Sequence, residues 1–213
     1  MDLFSLKGEV AVVTGVLGKL GPIWTHALLE AGASVMALDH PDSPISEDFE
    51  KIQAQFDETR LKLARADVRD RVALESACND CLKTMGVPSI LVNNAGIIQP
   101  ISSITLTEPD DWRYNIEVNL LGPFYMIQAA ISSLRSQNGR IVNVSSGAAT
   151  RVLENVSAYC AAKAGLNHFT RVLAEEEPEL TAVTVRPGVV DTDMQATIRH
   201  EGENAMSDEQ QTY

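Results

Sequence analysis

The feature that most constrains the fold is an alternation of short apolar runs with longer segments of helical periodicity. Helical segments lie at roughly 20–31, 46–57, 70–85, 107–136 and 157–177. The runs between them have the length and β-branched content of strands buried on both faces. They are EVAVVT (9–14), ASVMALD (33–39), RLKLARAD (60–67), PSILVNN (88–94), GRIVNVSS (139–146) and LTAVTVRP (180–187). Alternation of this kind produces right-handed crossovers, so we predict an α/β fold: a doubly wound, Rossmann-type parallel sheet in a single domain.

The charge balance limits the partners of such a domain. Lys and Arg number 17 against 29 Asp and Glu, a formal net charge of −12, and no basic run interrupts the acidic excess. Because this charge repels polyanions, we expect no nucleic-acid partner and no membrane partner. The N-terminal sequence MDLFSLKGEV does not have the pattern of a signal peptide, so we expect a cytoplasmic protein.

The cysteines do not form a recognisable metal site. Cys78 and Cys81 make a single CxxC pair, and no second Cys or His pair lies near them to complete four ligands. We interpret both as helix residues, and Cys160 as a small residue packed in a helix. We therefore expect no metal, and we expect reduced thiols because the number of cysteines is odd.

A glycine-rich turn follows the first predicted strand. The sequence TGVLGKLGPIW spaces Gly15, Gly18 and Gly21 three residues apart at the junction of strand and helix. Glycines there let the backbone approach a pyrophosphate, whose charge the helix N-terminus favours. The second strand ends in Asp39, 18 residues after Gly21, where a carboxylate can accept bonds from ribose hydroxyls. A tight turn or a loop carboxylate explains each feature alone, but together they predict a dinucleotide site.

A second group of polar residues lies at the start of the last predicted helix. Tyr159 and Lys163 are four residues apart, so a helix places them on one face, with Ser145 and Ser146 upstream. A free phenol has a pKa of about 10, and an ammonium group nearby would lower it. We therefore expect Tyr159 to donate and accept a proton, with its pKa lowered by Lys163.

These features resemble the short-chain dehydrogenase/reductase family, from about Lys7 to about Gln195. The motifs are TG in the glycine turn, ADVRD with Asp67, NNAG at 93–96, EVNLLG with Asn119, YxxxK at 159–163 and RPGVVDT at 186–192. The ordered set is far more specific than any one motif. It implies an NAD(P)-dependent oxidoreductase that transfers a hydride between a nicotinamide cofactor and a ketone or secondary alcohol, a small-molecule substrate.

The resemblance also implies roles for single residues. Ser146, thirteen residues before Tyr159, would donate a hydrogen bond to the carbonyl oxygen, and this offset favours it over Ser145. Lys163 would bind the nicotinamide ribose, and Asn119 would hold the helix backbone and a water in the proton path. The predicted catalytic residues are Ser146, Tyr159, Lys163 and Asn119. The predicted cofactor-binding residues are Thr14, Gly15, Gly18, Leu20, Gly21, Asp39, Asp67, Val68, Asn94, Ala95, Gly96, Tyr159, Lys163, Pro187, Gly188, Val190 and Thr192.

The glycine spacing departs from the short-form pattern. Short-form members usually have TGxxxGxG, whereas Lys19 stands here at a glycine position, and TGxxGxxG is typical of the extended branch of epimerases and dehydratases. That branch needs a further sugar-nucleotide domain, for which this chain has no room. Two alternatives stay open: an extended-type relative, and a non-catalytic dinucleotide-binding sensor or scaffold on the same fold.

The choice of cofactor rests on charge. The stretches RPGVVDTDMQ and AEEEPELT resemble the branch with sepiapterin reductase and benzil reductase, which reduces compact vicinal dicarbonyl compounds and generally uses NADPH. Asp39, followed by His40 and Pro41, would repel the 2′-phosphate of NADPH. We predict NAD as the cofactor and keep NADP as an alternative, because Lys19 could reach an adenosine phosphate.

The C-terminal sequence lacks an apolar run that could form a further strand. The segment ATIRHEGENAMSDEQQTY is polar, so we divide the chain into an oxidoreductase domain (1–195) and a polar tail (196–213) that begins a truncated substrate lid. We expect the family's final helix and strand to be missing, and the chain alone to be a poor catalyst.

Helices 107–136 and 157–177 have apolar faces that pair between subunits in the family, which predicts a homo-oligomer, a homodimer.

Overall fold

Six parallel strands form one sheet in the computed structural model, which describes residues 4–188 together with Met194, Ala196 and Thr197. They are β1 (Val10–Thr14), β2 (Ser34–Asp39), β3 (Leu61–Arg65), β4 (Ile90–Asn93), β5 (Arg140–Val144) and β6 (Thr181–Val185). Their order is β3-β2-β1-β4-β5-β6, and every neighbouring pair is parallel. This doubly wound order reverses between β1 and β4, which confirms the predicted fold class and all six strands.

Helices cover the sheet and match the predicted segments. They are α1 (Leu20–Glu30), α2 (Glu47–Gln53), α3 (Arg71–Thr84), α4 (Pro109–Ile116), α5 (Gly122–Ser136) and α6 (Ser157–Glu176). A π-helical turn (Glu117–Leu121) joins α4 to α5, so the segment predicted as one helix over 107–136 widens around Asn119. Single π turns inside helices occur frequently at functional sites.

Two apolar layers lie on the two faces of the sheet. Side chains of α1 and α2 pack on one face, and side chains of α3, α5 and α6 pack on the other. Cys78 and Cys81 are buried in α3 within the second layer, so they are helix residues as predicted. Their burial raises the pKa of each thiol to about 12, which keeps both protonated at neutral pH.

The burial predicted for the last strand is wrong. The run over 180–187 predicts a strand covered on both faces, but Val183 is 42% exposed, and Thr181 and Thr184 are exposed as well. β6 lies at one edge of the described sheet. Its Ala182 packs against the layer that contains α6, whereas Val183 points to the opposite face. Position in the sheet decides this burial, and β-branched composition does not reveal position.

The predicted tail over 196–213 lies outside the described residues except for Ala196 and Thr197. None of the described helices is both long enough and apolar enough to cross a membrane.

Candidate active site

A cleft opens where the strand order reverses, beside the loops that follow β1, β2, β3 and β4. Its volume is about 480 Å³, and the start of α1 forms part of its wall. Open parallel sheets bind ligands at this crevice. The lining residues are Gly15, Gly18, Lys19, Leu20, Asp39, His40, Ser43, Ala66, Asp67, Val68, Asn94, Ala95, Gly96, Ile97, Tyr114, Val118 and Met194.

Most of the residues predicted to bind the cofactor meet at this cleft. Those that line it are Gly15, Gly18, Leu20, Asp39, Asp67, Val68, Asn94, Ala95 and Gly96. Thr14 and Gly21 are buried behind the lining, and Pro187 and Gly188 are not part of it. Val190 and Thr192 lie outside the described residues.

The glycine-rich turn is shaped by close backbone contacts. Gly15 has φ +69°, and a Cβ there would lie 2.6 Å from the Cα of Ala95. A Cβ on Gly21 would lie 2.2 Å from the carbonyl oxygen of Gly15, so this glycine lets α1 pack on the turn. Lys19 has φ −63° and ψ −37°, which any residue adopts. The short-form glycine is therefore not required at that position.

Asp39 holds the glycine-rich turn to the end of β2. Its Oδ2 accepts a hydrogen bond from the backbone N–H of Leu17 at 2.7 Å, and its Oδ1 accepts one from the backbone N–H of His40 at 2.8 Å. A carboxylate has about four acceptor positions, so Asp39 can accept further hydrogen bonds in the cleft. It therefore has both a structural role and capacity for a ligand.

The NNAG segment joins the ends of β1 and β4. Thr14 Oγ1 accepts hydrogen bonds from the backbone N–H groups of Asn94 and Ala95, both at 3.1 Å. The side-chain amide of Asn94 donates to the carbonyl oxygens of Thr14 and Gly15 at 3.0 and 2.8 Å. These bonds position the part of the cleft floor next to Gly96. A Cβ on Gly96 would lie 3.4 Å from Nζ of Lys163, so the cleft reaches the predicted catalytic residues there.

The side chain of Ser146 lies beside the phenol of Tyr159, close enough to lower the phenol pKa. Ser146 precedes a 3₁₀ turn (Gly147–Ala149) after β5, and its Oγ also accepts from the backbone N–H of Ala148 at 3.2 Å. Tyr159 lies in the first turn of α6 and is 7% exposed. The hydroxyl of Ser145 is buried and has no hydrogen-bond partner in the described part of the chain. The structure thus places Ser146, and not Ser145, against Tyr159.

Lys163 is buried next to Tyr159. Its Nζ donates to the carbonyl oxygen of Val144 at 2.9 Å and lies 5.6 Å from the centroid of the Tyr159 ring. Burial lowers the pKa of Lys163 to about 8. The prediction that Lys163 lowers the pKa of Tyr159 is wrong for this structure, because burial raises the phenol pKa more than the Ser146 hydrogen bond lowers it.

Asn119, in the π-helical turn, holds the loop that follows β4. Its Nδ2 donates to the carbonyl oxygen of Ile97 at 2.8 Å, and its Oδ1 accepts from the N–H of Ile97 at 3.2 Å. Nδ2 also donates to the backbone oxygen of Asn115 at 3.1 Å, which agrees with its predicted hold on the helix backbone. These contacts make Asn119 a positioning residue. Its contact with a water in the proton path stays a prediction.

Sequence reasoning missed Asn115 and several cleft residues. Asn115 is fully buried, and its Nδ2 donates to the carbonyl oxygens of Ile97 and Ile98, both at 3.3 Å. Its position four residues before Asn119 on one helix face is a signal that could have revealed it. Tyr114 lies four residues before Val118 in the same way, and both line the cleft.

Met194 connects the cleft to the surroundings of Tyr159. It lines the cleft and packs against an apolar cluster formed by Ile98, Ala148, Val156 and Tyr159.

Within residues 4–188 and the three described residues beyond them, no group of His, Cys, Asp and Glu is arranged to hold a metal ion.

The residues of the cleft fit an extended dinucleotide. Because the glycine turn packs closely, the N-terminus of α1 lies at the wall of the cleft. The first backbone N–H groups of a helix have no partner within the helix, so they can donate to a pyrophosphate in the cleft. Asp39 and Asp67 supply acceptors in the part formed by β2 and β3, and Gly96 leads toward Lys163 and Tyr159. Proton transfer by Tyr159 and charge stabilisation by Ser146 are the chemistry that this arrangement supports.

Comparison with known proteins agrees with this geometry. The sequence model described as short chain dehydrogenase matches residues 9–203. An uncharacterised oxidoreductase of Saccharomyces cerevisiae is 32% identical over 95% of this chain and 79% of that protein. Its crystal structure superposes with a TM-score of 0.86 over 95% of this chain and 79% of that one, at 30% identity. Benzil reductase ((S)-benzoin forming) of Bacillus subtilis is 32% identical over 90% of this chain and 78% of its own length.

A gluconate 5-dehydrogenase of Burkholderia cenocepacia is also similar in structure. Its structure, a complex with NADP and tartrate, has a TM-score of 0.83 and 26% identity over 93% of this chain and 78% of that one. The chain thus spans somewhat over three quarters of the length of the proteins to which we compare it.

Proposed function

Because the chain belongs to the short-chain dehydrogenase family of NAD(P)-dependent oxidoreductases, we propose that Ser146, Tyr159 and Lys163 are the residues that perform its hydride-transfer chemistry on a ketone or secondary alcohol. The observation that carries this proposal is the placement of Ser146 beside the phenol of Tyr159, with the buried Nζ of Lys163 5.6 Å from the Tyr159 ring centroid. An extended-type relative and a non-catalytic sensor find no support in the comparisons.

The nicotinamide ring, when bound, supplies or accepts the hydride, and the chain's own residues handle the proton and the charge. Burial raises the pKa of Tyr159, so its phenol is protonated near neutral pH and can donate to a carbonyl oxygen. The Ser146 hydroxyl can donate a second hydrogen bond to the same oxygen as negative charge develops there. In the oxidation direction the acceptor of the alcohol proton is the phenolate of Tyr159, so this direction is favoured at high pH, where the phenol has lost its proton.

Replacement of Tyr159 tests this assignment. Tyr159→Phe keeps the ring but removes the transferable proton, so we expect turnover to fall by about a hundredfold or more. Dinucleotide affinity should stay within about threefold of wild type. Stopped-flow reduction and fluorescence titration measure the two quantities. Tyr125→Phe, on α5 and away from the cleft, is the matched control. A Phe variant that turns over at the wild-type rate would refute the proton-transfer role.

We further propose that NAD is preferred over NADP. Asp39 lines the cleft at the end of β2, and its negative charge opposes a 2′-phosphate while its oxygens can accept from ribose hydroxyls. Asp39→Asn removes the charge and keeps an acceptor for the N–H of Leu17 or His40. We expect a preference for NADH of about tenfold or more in the wild type, reduced to about threefold or less in Asp39→Asn.

Asp42→Asn is the control for this experiment, since Asp42 has a side chain 93% exposed and does not line the cleft. Fluorescence titration with NADH and NADPH gives the four affinities. Equal affinities in the wild type, unchanged in Asp39→Asn, would contradict the proposal.

The cellular location, the oligomeric state and the domain division of the protein are also proposals. Cys78, Cys81 and Cys160 are free thiols, which supports a reducing, cytoplasmic location. A homodimer through α4, α5 and α6 is proposed from their packing and exposed apolar side chains. The division into an oxidoreductase domain over 1–195 and a polar tail over 196–213 stays a prediction.

A further inference from the structure

Asn115, near the end of α4, is a fully buried amide between Asn119 and the loop that follows β4. Its Nδ2 donates to the carbonyl oxygens of Ile97 and Ile98, both at 3.3 Å, and to that of Gln99. Its Oδ1 accepts from Nδ2 of Asn119 at 2.9 Å. One side chain thus contacts three consecutive loop carbonyls and the amide of a predicted catalytic residue.

The groups around Asn119 determine which end of its amide points in which direction. Its Nδ2 lies among three oxygens that can only accept: Oδ1 and the backbone oxygen of Asn115, and the backbone oxygen of Ile97. Its Oδ1 lies against the backbone N–H of Ile97, which can only donate. The carbonyl oxygen of Ile97 accepts from both asparagines. Asn115 therefore holds Asn119 directly and also holds the loop residue to which Asn119 is bonded.

The oxygen of Asn119 lies close to Lys163. A Cβ on Gly96 would lie 2.8 Å from Oδ1 of Asn119 and 3.4 Å from Nζ of Lys163, so both atoms border the same glycine. An amide oxygen beside an ammonium group is electrostatically favourable, whereas an amide N–H in its place would oppose the charge. Both side chains are buried, so water screens this interaction weakly. The orientation of the Asn119 amide therefore affects the surroundings of the lysine.

We propose that Asn115 is a positioning residue for the reaction: it fixes the Asn119 amide and the loop over 97–99, and so keeps the oxygen of Asn119 beside Lys163. The inference rests on the proposed function, in which Lys163 takes part in the chemistry. Asn115 does not line the cleft, so it acts through Asn119 and not on a ligand. Its removal would leave buried polar groups unpaired, and such groups shift to find new partners.

Amide hydrogen exchange tests this positioning without any substrate. The N–H of Ile97 donates to Oδ1 of Asn119, so its exchange rate reports how firmly that amide is held. In Asn115→Ala we expect exchange at Ile97, measured by NMR relative to the buried strand residues Leu91 and Val92, to be faster by about tenfold or more. A purely structural loss would raise exchange in the strand as well and leave this ratio unchanged.

Turnover tests the consequence for catalysis, with NADH and the vicinal diketone camphorquinone as the probe. We expect kcat per bound NADH to fall by about tenfold or more in Asn115→Ala, while NADH affinity stays within about threefold of wild type. Because Asn115 acts through Asn119, the double variant Asn115→Ala/Asn119→Ala should have the kcat of Asn119→Ala within about threefold. Unfolded protein does not bind NADH, so a lower folded fraction cannot produce this pattern.

Asn143→Ala is the matched control. Asn143 is also a fully buried asparagine, bonded to the side chains of Asn93 at 2.8 Å and Thr170 at 2.9 Å, and it does not line the cleft. We expect this variant to lose stability but to keep the wild-type kcat per bound NADH and the wild-type exchange ratio at Ile97. If circular dichroism shows Asn115→Ala unfolded, Asn115→Ser is the substitute, because its hydroxyl can bond to its own helix backbone but is too short to bridge the loop and Asn119.

The outcomes separate this inference from the proposed function. An unchanged exchange ratio at Ile97 in Asn115→Ala, losses of kcat that add in the double variant, or an equal loss of kcat in Asn143→Ala would overturn the positioning role. If Tyr159→Phe abolishes turnover while Asn115→Ala keeps it, the proposed function stands and this inference fails. If wild-type protein binds NADH without reducing camphorquinone, and exchange at Ile97 still rises selectively in Asn115→Ala, the proposed function fails and the hold of Asn115 on Asn119 stands.

Discussion

At the scale of single residues, Lys163 is an amine enclosed by protein, with 4% of its surface exposed. Burial lowers its pKa from 10.5 to about 8. The pKa of Lys163 is lower in the folded protein than in the unfolded chain, so between these two values Lys163 binds a proton when the protein unfolds. This proton uptake favours the unfolded chain at lower pH, and the effect disappears as the pH rises. The contribution of Lys163 to the free energy of unfolding should therefore rise from about pH 8 to about pH 10.5.

A comparison with Lys163→Met isolates this contribution. We expect the difference in unfolding free energy, wild type minus variant, to increase by up to about 3 kcal/mol between pH 8 and pH 10.5. Groups present in both proteins, such as the thiols of Cys78 and Cys81, cancel in the difference. Urea denaturation at several pH values measures it. Lys51→Met is the control: its side chain is 66% exposed, so the difference in unfolding free energy should not change with pH. A difference for Lys163→Met that stays flat or falls between pH 8 and pH 10.5 would contradict the lowered pKa of Lys163.

At the scale of elements, two glycines of the turn between β1 and α1 differ in how closely they approach other backbone atoms. A Cβ on Gly21 would lie 2.2 Å from the Gly15 oxygen, whereas the nearest atom to a Cβ on Gly18 is the same oxygen at 3.9 Å. Gly21→Ala must push α1 away from the turn, and we expect it to destabilise the protein by about 2–4 kcal/mol. Gly18→Ala should change stability by less than about 1 kcal/mol.

Thermal or urea unfolding of the two variants checks the difference, and the pair is matched in chemistry and in sequence neighbourhood. Equal stabilities would mean that the turn does not hold α1 as closely as the geometry requires. The same turn also explains why an atypical glycine spacing fits a short-form protein: Lys19 occupies an ordinary helical conformation.

At the scale of the whole molecule, the proposed homodimer depends on the surface of α4, α5 and α6. Trp112 donates from Nε1 to Oγ of Ser157 at 3.2 Å, which ties α4 to the start of α6. Trp112 and Val172 are still 38% and 40% exposed, apolar surface that a second copy could cover.

Light scattering at micromolar concentration should report a dimer. Val172→Glu should shift it toward the monomer because a charge in an apolar interface lacks a partner. Val72→Glu, at a residue of α3 that is 75% exposed, should leave the dimer intact. A wild-type monomer, or a dimer that ignores Val172→Glu, would contradict this interface.

Across these scales, the parts predicted from sequence are those governed by local pattern. The strands and helices follow from apolar periodicity, and a helix places Tyr159 and Lys163 on one face. The choice of Ser146 over Ser145 came from the resemblance to the family. The cleft residues from the glycine turn and the NNAG segment could be predicted because the carboxyl ends of parallel strands share one edge of the sheet.

The sequence by itself determined the order of elements and the fold class, because apolar periodicity is a local property of the chain. Its motifs located the cleft residues of the glycine turn and the NNAG segment, but not Ile97, Tyr114 or Val118. Only the tertiary structure decided that β6 is exposed, that burial raises the pKa of Tyr159, and that Asn115 reaches the loop after β4. Each of these depends on what distant segments place around a side chain. Desolvation and contacts between elements are set by that packing, which no local pattern contains.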